Sequence, residues 1–455
     1  MHSLTIYKSK KTFLKNHKYT FLFLINFALL AVLKEAYVFV LAVVLIVVGL
    51  KNSKKYLPIS LLLLSIMIFL NPFLGSVPSP LWNLALILFF ALFIVKKKFH
   101  FNKLEILYAA ILLSFLATSI LVSPFPSIAI IKVISLTIFS YAVFKTYKWG
   151  TIDESMLRQL VESIVIANIL LYFTSFGYYK NGLFMGIFNH SQSIGLFLVP
   201  LLAYYAISFL ENNITGKTEK LYALIIIFLG LLEILATYSR TAIFTYVVLI
   251  FIYVVLNKLK LKKILLVLKN PFYFLLSMVI LGVVAINTPK ILNSAQNYIY
   301  KSYTNEMYQS QVEKGILSTR QVLFDESLAN FKHNPILGNG FGVQFHNGKL
   351  ANNELRILPL LDVPYTMVNE KGNVYLMVLE EGGLIAFILF VLFLFLLLRK
   401  TKMYKPAFYT SIAILVMFNG EATFFSLNGV GAFQFVFLIL LYFLAIQNKK
   451  LGYVK

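Results

Sequence analysis

Residues 221–256 read LYALIIIFLG LLEILATYSR TAIFTYVVLI FIYVVL. Two apolar runs flank a short polar break, and each approaches the ~20 residues a helix needs to cross a bilayer. The runs lack the period-two alternation of a membrane barrel. A backbone in hydrocarbon must also satisfy its own hydrogen bonds, which leaves the helix. The stretch is therefore a helical hairpin with Arg240 at its turn.

Outward from this hairpin the same pattern repeats at 19–50, 56–95, 104–146, 158–209, 271–398 and 406–446. The chain is 59% hydrophobic and only 13% charged, against about a quarter charged in soluble domains. The fold class expected is an all-α polytopic membrane protein with about 14 spans, 12 if some apolar runs do not cross. Residues 19–50 are few for two upright crossings, so that hairpin is read as re-entrant or tilted around Lys34 and Glu35. The basic N-terminus runs into this hairpin without an Ala-x-Ala type cleavage site, and it reads as a retained first span.

The formal charge of +23 suggests nucleic acid only until the charges are placed. Most of the 41 lysines and arginines fall in the N-terminal tail, at 51–55, 96–103, 145–158, 217–220, 258–269 and 399–405, and at the C-terminus. These loops all lie on one side of the hairpins. By the positive-inside rule that side is cytoplasmic, with both termini on it, and nucleic acid is excluded as a partner. The sequence contains no cysteine, which excludes disulfides and thiolate chemistry.

On the opposite, extracytoplasmic side one segment is large. The organisation expected is 1–287 as spans 1–11, 288–371 as a soluble loop subdomain with balanced charge, and 372–455 as spans 12–14. Within the loop, Ser318–His333 predicts a helix with Phe324, Leu328 and Phe331 on one face. Asn334-Pro335 and the glycines at 338, 340 and 342 end it in a tight turn.

Two readings stand for Arg240: a structural pair with Glu233, two turns earlier if the helix continues, or a site for an anionic group. Lys132, near the outer end of its span, is either a snorkelling cation or a binding group. Arg320 and Arg356 are the other arginines placed outside. His190 and His346 are each a structural histidine, a general base or a sugar contact. Glu370 and Glu381, at the membrane boundary, are the better carboxylate candidates. No histidine pattern for a metal occurs, so no metal site is expected.

The ordered motifs resemble the O-antigen polymerase and O-antigen ligase superfamily. They are Gly186-Ile187-Phe188-Asn189-His190, Ser239-Arg240-Thr241-Ala242, Arg320 leading a helix, Pro335-Ile336-Leu337-Gly338-Asn339-Gly340-Phe341-Gly342, Asn373-Val374-Tyr375-Leu376 and Glu381-Gly382-Gly383-Leu384-Ile385. The resemblance implies a GT-C-like membrane glycosyltransferase in the bacterial inner membrane with the large loop periplasmic. Its implied substrate is an undecaprenyl-pyrophosphate-linked oligosaccharide, used without metal or cofactor. Arg240 and Arg320 occupy the positions of the family's pyrophosphate-holding arginines, and Arg356, Lys132, His190 and Asn373 complete the candidate binding set. Glu370, Glu381 and His346 are the candidate catalytic groups. Membrane lipids, a chain-length regulator and a flippase are the partners implied. Family ligases show His-Asn where this chain has Gly372-Asn373. This departure favours a polymerase of repeat units, as in lipopolysaccharide or other surface polysaccharide biosynthesis. A ligase acting on a lipid or protein acceptor is the nearest alternative, and a lipid-linked oligosaccharide flippase a second.

Overall fold

The computed structural model describes residues 16–178, 183–211, 213–214, 216–237, 239–257, 318–343, 345–346, 349–350, 355–358, 363–367, 371–427 and 429–450. Along the chain the helices are α1 (Lys18–Lys51), α2 (Leu57–Met67), α3 (Ser79–Val95), α4 (Lys103–Val122), α5 (Pro126–Trp149), α6 (Glu154–Tyr172), α7 (Ser191–Leu210), α8 (Lys217–Ala236) and α9 (Arg240–Leu256). After these come α10 (Ser318–His333), α11 (Val374–Thr401), α12 (Lys405–Met417) and α13 (Gly429–Lys450). Two short antiparallel ladders lie between α10 and α11: β1 (Phe345–His346) with β2 (Lys349–Leu350), and β3 (Leu355–Leu358) with β4 (Val363–Met367). Among the described residues, α1, α4, α5, α6, α7, α11 and α13 are long and apolar enough to cross a membrane. The apolar run expected at 271–287 lies outside the described residues.

Burial sorts these helices. An α-helix apolar all round belongs in a core, and α7 and α13 are buried over most of their length, whereas α1 is the least buried of the seven. The aromatic heart is packed from α4, α5, α11, α13 and the α12–α13 loop, where Tyr108 meets Phe393, Phe424 and Phe435, and Phe435 also meets Phe139.

α1 is not a rod. Lys34 has φ 51° and ψ −135°, and the Tyr37 hydroxyl donates to Asn26 Oδ1 at 2.7 Å across 11 residues of sequence. In a straight helix that separation is about 16 Å, beyond the combined reach of the two side chains, so the chain folds back at Lys34. Tyr19 and Lys55 accordingly line the same cavity. The expected hairpin over 19–50 is present, tipped by Lys34 and Glu35.

The two ends of the bundle differ in chemistry. At one end a cavity of about 1070 Å³ gathers Tyr19, Lys55, Arg158, Glu211, Lys405 and Asn448, all from segments assigned to one side by charge. Ion pairs tie this end together: Lys145 with Glu105 (2.5 Å) and Lys405 with Glu211 (2.9 Å). At the other end the remaining loops meet. The Asn71 amide N–H donates to Ile187 O (2.7 Å), Ser127 Oγ to Pro364 O (2.9 Å) and Trp82 Nε1 to Leu427 O (2.9 Å).

At the basic end, buried His17 bridges α6 and α8, with Nδ1 2.9 Å from Glu162 Oε2 and Nε2 2.8 Å from Glu219 Oε2. Thr20 and Tyr205 hydroxyls also donate to Glu162. Both ring nitrogens act as donors only in the imidazolium. Burial of the ring opposes that charge, yet the two carboxylates outweigh it and raise His17 above its ordinary 6.5. A raised native pKa means the stabilisation is full below the unfolded value and is lost as pH rises through the native one. Thermal melting of purified protein at rising pH should therefore fall through that window in the wild type and stay flatter in His17→Gln. Parallel curves for the two proteins would overturn this assignment.

Candidate functional site

Arg240 opens α9 because α8 breaks just before it. The Thr237 hydroxyl donates to Ile234 O (2.7 Å) and accepts from the Ser239 amide (3.2 Å), a local alternative to the helical ladder that such side chains offer. Glu233 and Arg240 are thus on different helices, and the continuous-helix pair considered from sequence does not form. Glu233 instead accepts from Asn168 Nδ2 at 2.9 Å. Arg240 stands half-buried in the first turn of α9, where the dipole of a helix start favours an anion. His190 caps the start of neighbouring α7, its Nδ1 accepting from the Gln192 amide at 3.2 Å. Ser239 and Ala242 pack on Gly195 of the same helix, so His190 and Arg240 open adjacent helices at the same end.

The glycine-rich turn at 335–342 is docked into a break in α11. Gly383 has φ +64° and ψ −167°, which frees the carbonyls of Glu380 and Glu381 and the amide of Leu384 from the helix. The turn uses all three. Asn339 N–H donates to Glu380 O (2.9 Å), Gly340 N–H to Glu381 O (3.1 Å), and Leu384 N–H to Pro335 O (2.9 Å). Phe341 stacks on Phe115 of α4 with centroids 4.4 Å apart, and its amide donates to Ser119 Oγ (2.7 Å).

α10 packs on the same break through a polar face. Among its described side chains the buried ones are Ser327 and Asn330, while Leu328 is 39% exposed and Phe324 and Phe331 are only partly covered. A polar face is what this neighbour requires, since Asn330 Nδ2 donates to Glu380 Oε1 (2.9 Å) and Asn330 O accepts from Asn339 Nδ2 (2.7 Å).

Glu381 is buried, and its Oε2 accepts from the Gly342 amide at 2.8 Å. Lys132 lies with Nζ 3.5 Å from Gly342 O and 5.7 Å from the Phe341 ring centroid. It supports the turn, a placement that snorkelling does not describe. Lys371 forms an ion pair with Glu380. Two lysines and two glutamates thus balance under the turn.

Asn373 caps α11, its Oδ1 accepting from the Tyr375 (2.8 Å) and Leu376 (3.1 Å) amides. Arg320 is the third residue of α10, His346 lies in β1 opposite Lys349, and Arg356 lies in β3 opposite Thr366. The side chains of these three, and Glu370 entirely, lie outside what is described. Among the described residues, Lys132 and Glu381 therefore meet under the turn, and His190 and Arg240 open adjacent helices. Sequence reasoning missed Lys371, Asn330 and Asn168. Asn168 carried a signal, a lone amide inside an apolar run, that was available to read.

These features define a multi-helix protein built for a membrane, with a glycine-rich turn locked into one broken helix and an arginine opening another. Residues 224–391 match the family model described as O-Antigen ligase, and the match supports the likeness of this segment to the O-antigen ligase and polymerase superfamily. The match carries a glycosyl-transfer class of activity and covers Arg240, Arg320, the glycine turn and the α11 break. No curated protein matches the chain significantly.

Proposed function

We propose that the protein polymerises undecaprenyl-pyrophosphate-linked repeat units on the outer face of the bacterial cytoplasmic membrane. The supporting observation is that Arg240 opens a helix at the end of the bundle where the loop turn docks, inside the segment matched to the family. The α11 break and Arg320 fall in that same segment. About 14 spans in a GT-C-like arrangement, with the loop periplasmic, complete the picture. In the reaction the anomeric carbon–phosphate oxygen bond breaks, and the acceptor hydroxyl oxygen bonds to that carbon. Its proton passes to a carboxylate, and the lipid pyrophosphate leaves with its charge held by Arg240 and Arg320. Fixed guanidiniums suit a diphosphate because they bind it bidentately and cannot lose their charge.

We assign the base to Glu370 and a supporting role to Glu381, whose buried Oε2 holds the Gly342 amide. Glu381→Gln keeps an oxygen acceptor there, and transfer per folded molecule should stay within about threefold, whereas Glu381→Ala leaves a buried amide unpaired at about 1–3 kcal/mol. Complete loss of transfer in a folded Glu381→Gln protein would make Glu381 the base.

A second reading is transfer of finished glycan to another acceptor, the activity in the matched family's description. Gly372 bears no side chain where ligases carry their histidine, and Asn373 is occupied as a helix cap, which supports polymerisation. Purified protein given only a defined lipid-linked repeat unit should elongate it. Transfer that appears only when a separate acceptor is added would favour the ligase, and movement of substrate across vesicles without transfer the flippase.

A further inference from the structure

Glu233 is 1% exposed and Asn168 is 0% exposed, on adjacent apolar helices. Ile187 N–H donates to Asn168 Oδ1 at 2.9 Å, which obliges the amide to turn its oxygen toward the 186–190 motif and its NH₂ the other way. The NH₂ then needs an acceptor, and Glu233 Oε2 supplies it at 2.9 Å. Among the described residues Glu233 Oε1 has no hydrogen-bond partner, so the carboxyl is retained in apolar surroundings for this one contact. Gly186 approaches so closely that a Cβ there would sit 2.2 Å from Asn168 Oδ1. On the far side of the turn Asn71 Nδ2 donates to Gly186 O at 2.9 Å.

The geometry points to Glu233 and Asn168 as positioning residues: the carboxyl fixes the orientation of the Asn168 amide, which fixes the 186–190 turn at the start of α7 relative to Arg240 at the start of α9. This rests on the reading of Arg240 as a phosphate-holding group. A buried carboxyl is costly in a membrane protein, and a pair serving only to join α6 and α8 would not need to grip the backbone of a third segment. Loss of the carboxyl frees the amide to rotate, withdraws the acceptor from Ile187 and loosens the placement of groups that must meet in the transition state.

The test uses the full-length protein in lipid with a defined undecaprenyl-pyrophosphate-linked repeat unit. Glu233→Leu and Asn168→Leu should each lower kcat by about tenfold or more with donor KM changed less than about threefold, and the double variant should be no worse than either. Glu233→Gln, whose oxygen still accepts from Asn168, should restore kcat to within about threefold. Hydrogen exchange at the Ile187 amide gives a readout independent of turnover: protection falls in Glu233→Leu and is kept in Glu233→Gln. Should the leucine variants fail to fold, Asn168→Asp keeps the Ile187 acceptor but sets two carboxyls face to face. Its activity relative to wild type should then rise as pH falls and one proton is shared. Wild-type protection and kcat in Glu233→Leu, Glu233→Gln as damaged as Glu233→Leu, or a flat ratio for Asn168→Asp would each overturn the inference. Arg240→Ala in the same assay separates the two ideas. Normal transfer there removes the phosphate-holding reading, while the Ile187 exchange result still judges the relay.

Discussion

Arg240→Ala is expected to abolish long-chain polysaccharide, leaving single repeat units, and to lower elongation in reconstituted membranes by about 10²-fold or more, the usual consequence of removing a preorganised charge from a leaving group. The argument starts from position. Arg240 stands in the first turn of a helix that begins abruptly, half-buried at the end of the bundle opposite the basic loops. A guanidinium there adds a permanent charge to the dipole of a helix start, which itself favours an anion. Arg240→Lys should recover only part of the activity, because an ammonium keeps the charge and loses the planar fork. Arg399, at the basic end of α11, serves as the control, and its alanine variant should elongate normally. Long chains stranded on lipid in the Arg240→Ala strain would point to ligation, and unchanged chain length would remove Arg240 from the site.

The hairpin that carries this arginine was readable because its break is written in side chains that compete with a helix. The 221–256 reading places the turn where α8 ends at Ala236 and α9 begins at Arg240. The same holds for α10, whose expected range Ser318–His333 is the observed one, closed by Asn334-Pro335. Periodicity places Phe324, Leu328 and Phe331 on one face of α10 but does not say which face is covered, because the partner is a broken helix with free carbonyls and Glu380. Nor does sequence reveal that Lys132 underlies Gly342, since that contact joins positions 210 residues apart. The Glu233 and Asn168 pair was hidden for a related reason. Spacing suggested Arg240 as the partner of Glu233, and only the break at Thr237 redirects the carboxyl to another helix.

The second large effect concerns the joint between the loop and the membrane helices. Gly338→Ala should undock the 335–342 turn, abolishing transfer and exposing α10 to limited proteolysis in otherwise folded protein. Gly338 has φ +71°, and an added Cβ would meet Gly383 N at 2.5 Å and Gly382 N and Glu381 C at 2.6 Å. These are backbone atoms that cannot step aside as a side chain can. The left-handed backbone alone costs a non-glycine residue about 1–2 kcal/mol. Relief of the clash would also sacrifice the bonds from Asn339, Gly340, Gly342 and Leu384 amides, at about 0.5–1.5 kcal/mol each. The sum is several kcal/mol, comparable with the whole stability of many domains. Gly216 separates the two contributions. It has φ +94° but no atom nearer than 3.6 Å to an added Cβ, so Gly216→Ala pays only for the backbone and should keep both activity and protease resistance. A Gly338→Ala protein that behaved like Gly216→Ala would mean that the turn is not held by the α11 break, and that the loop reaches its substrate without this anchor.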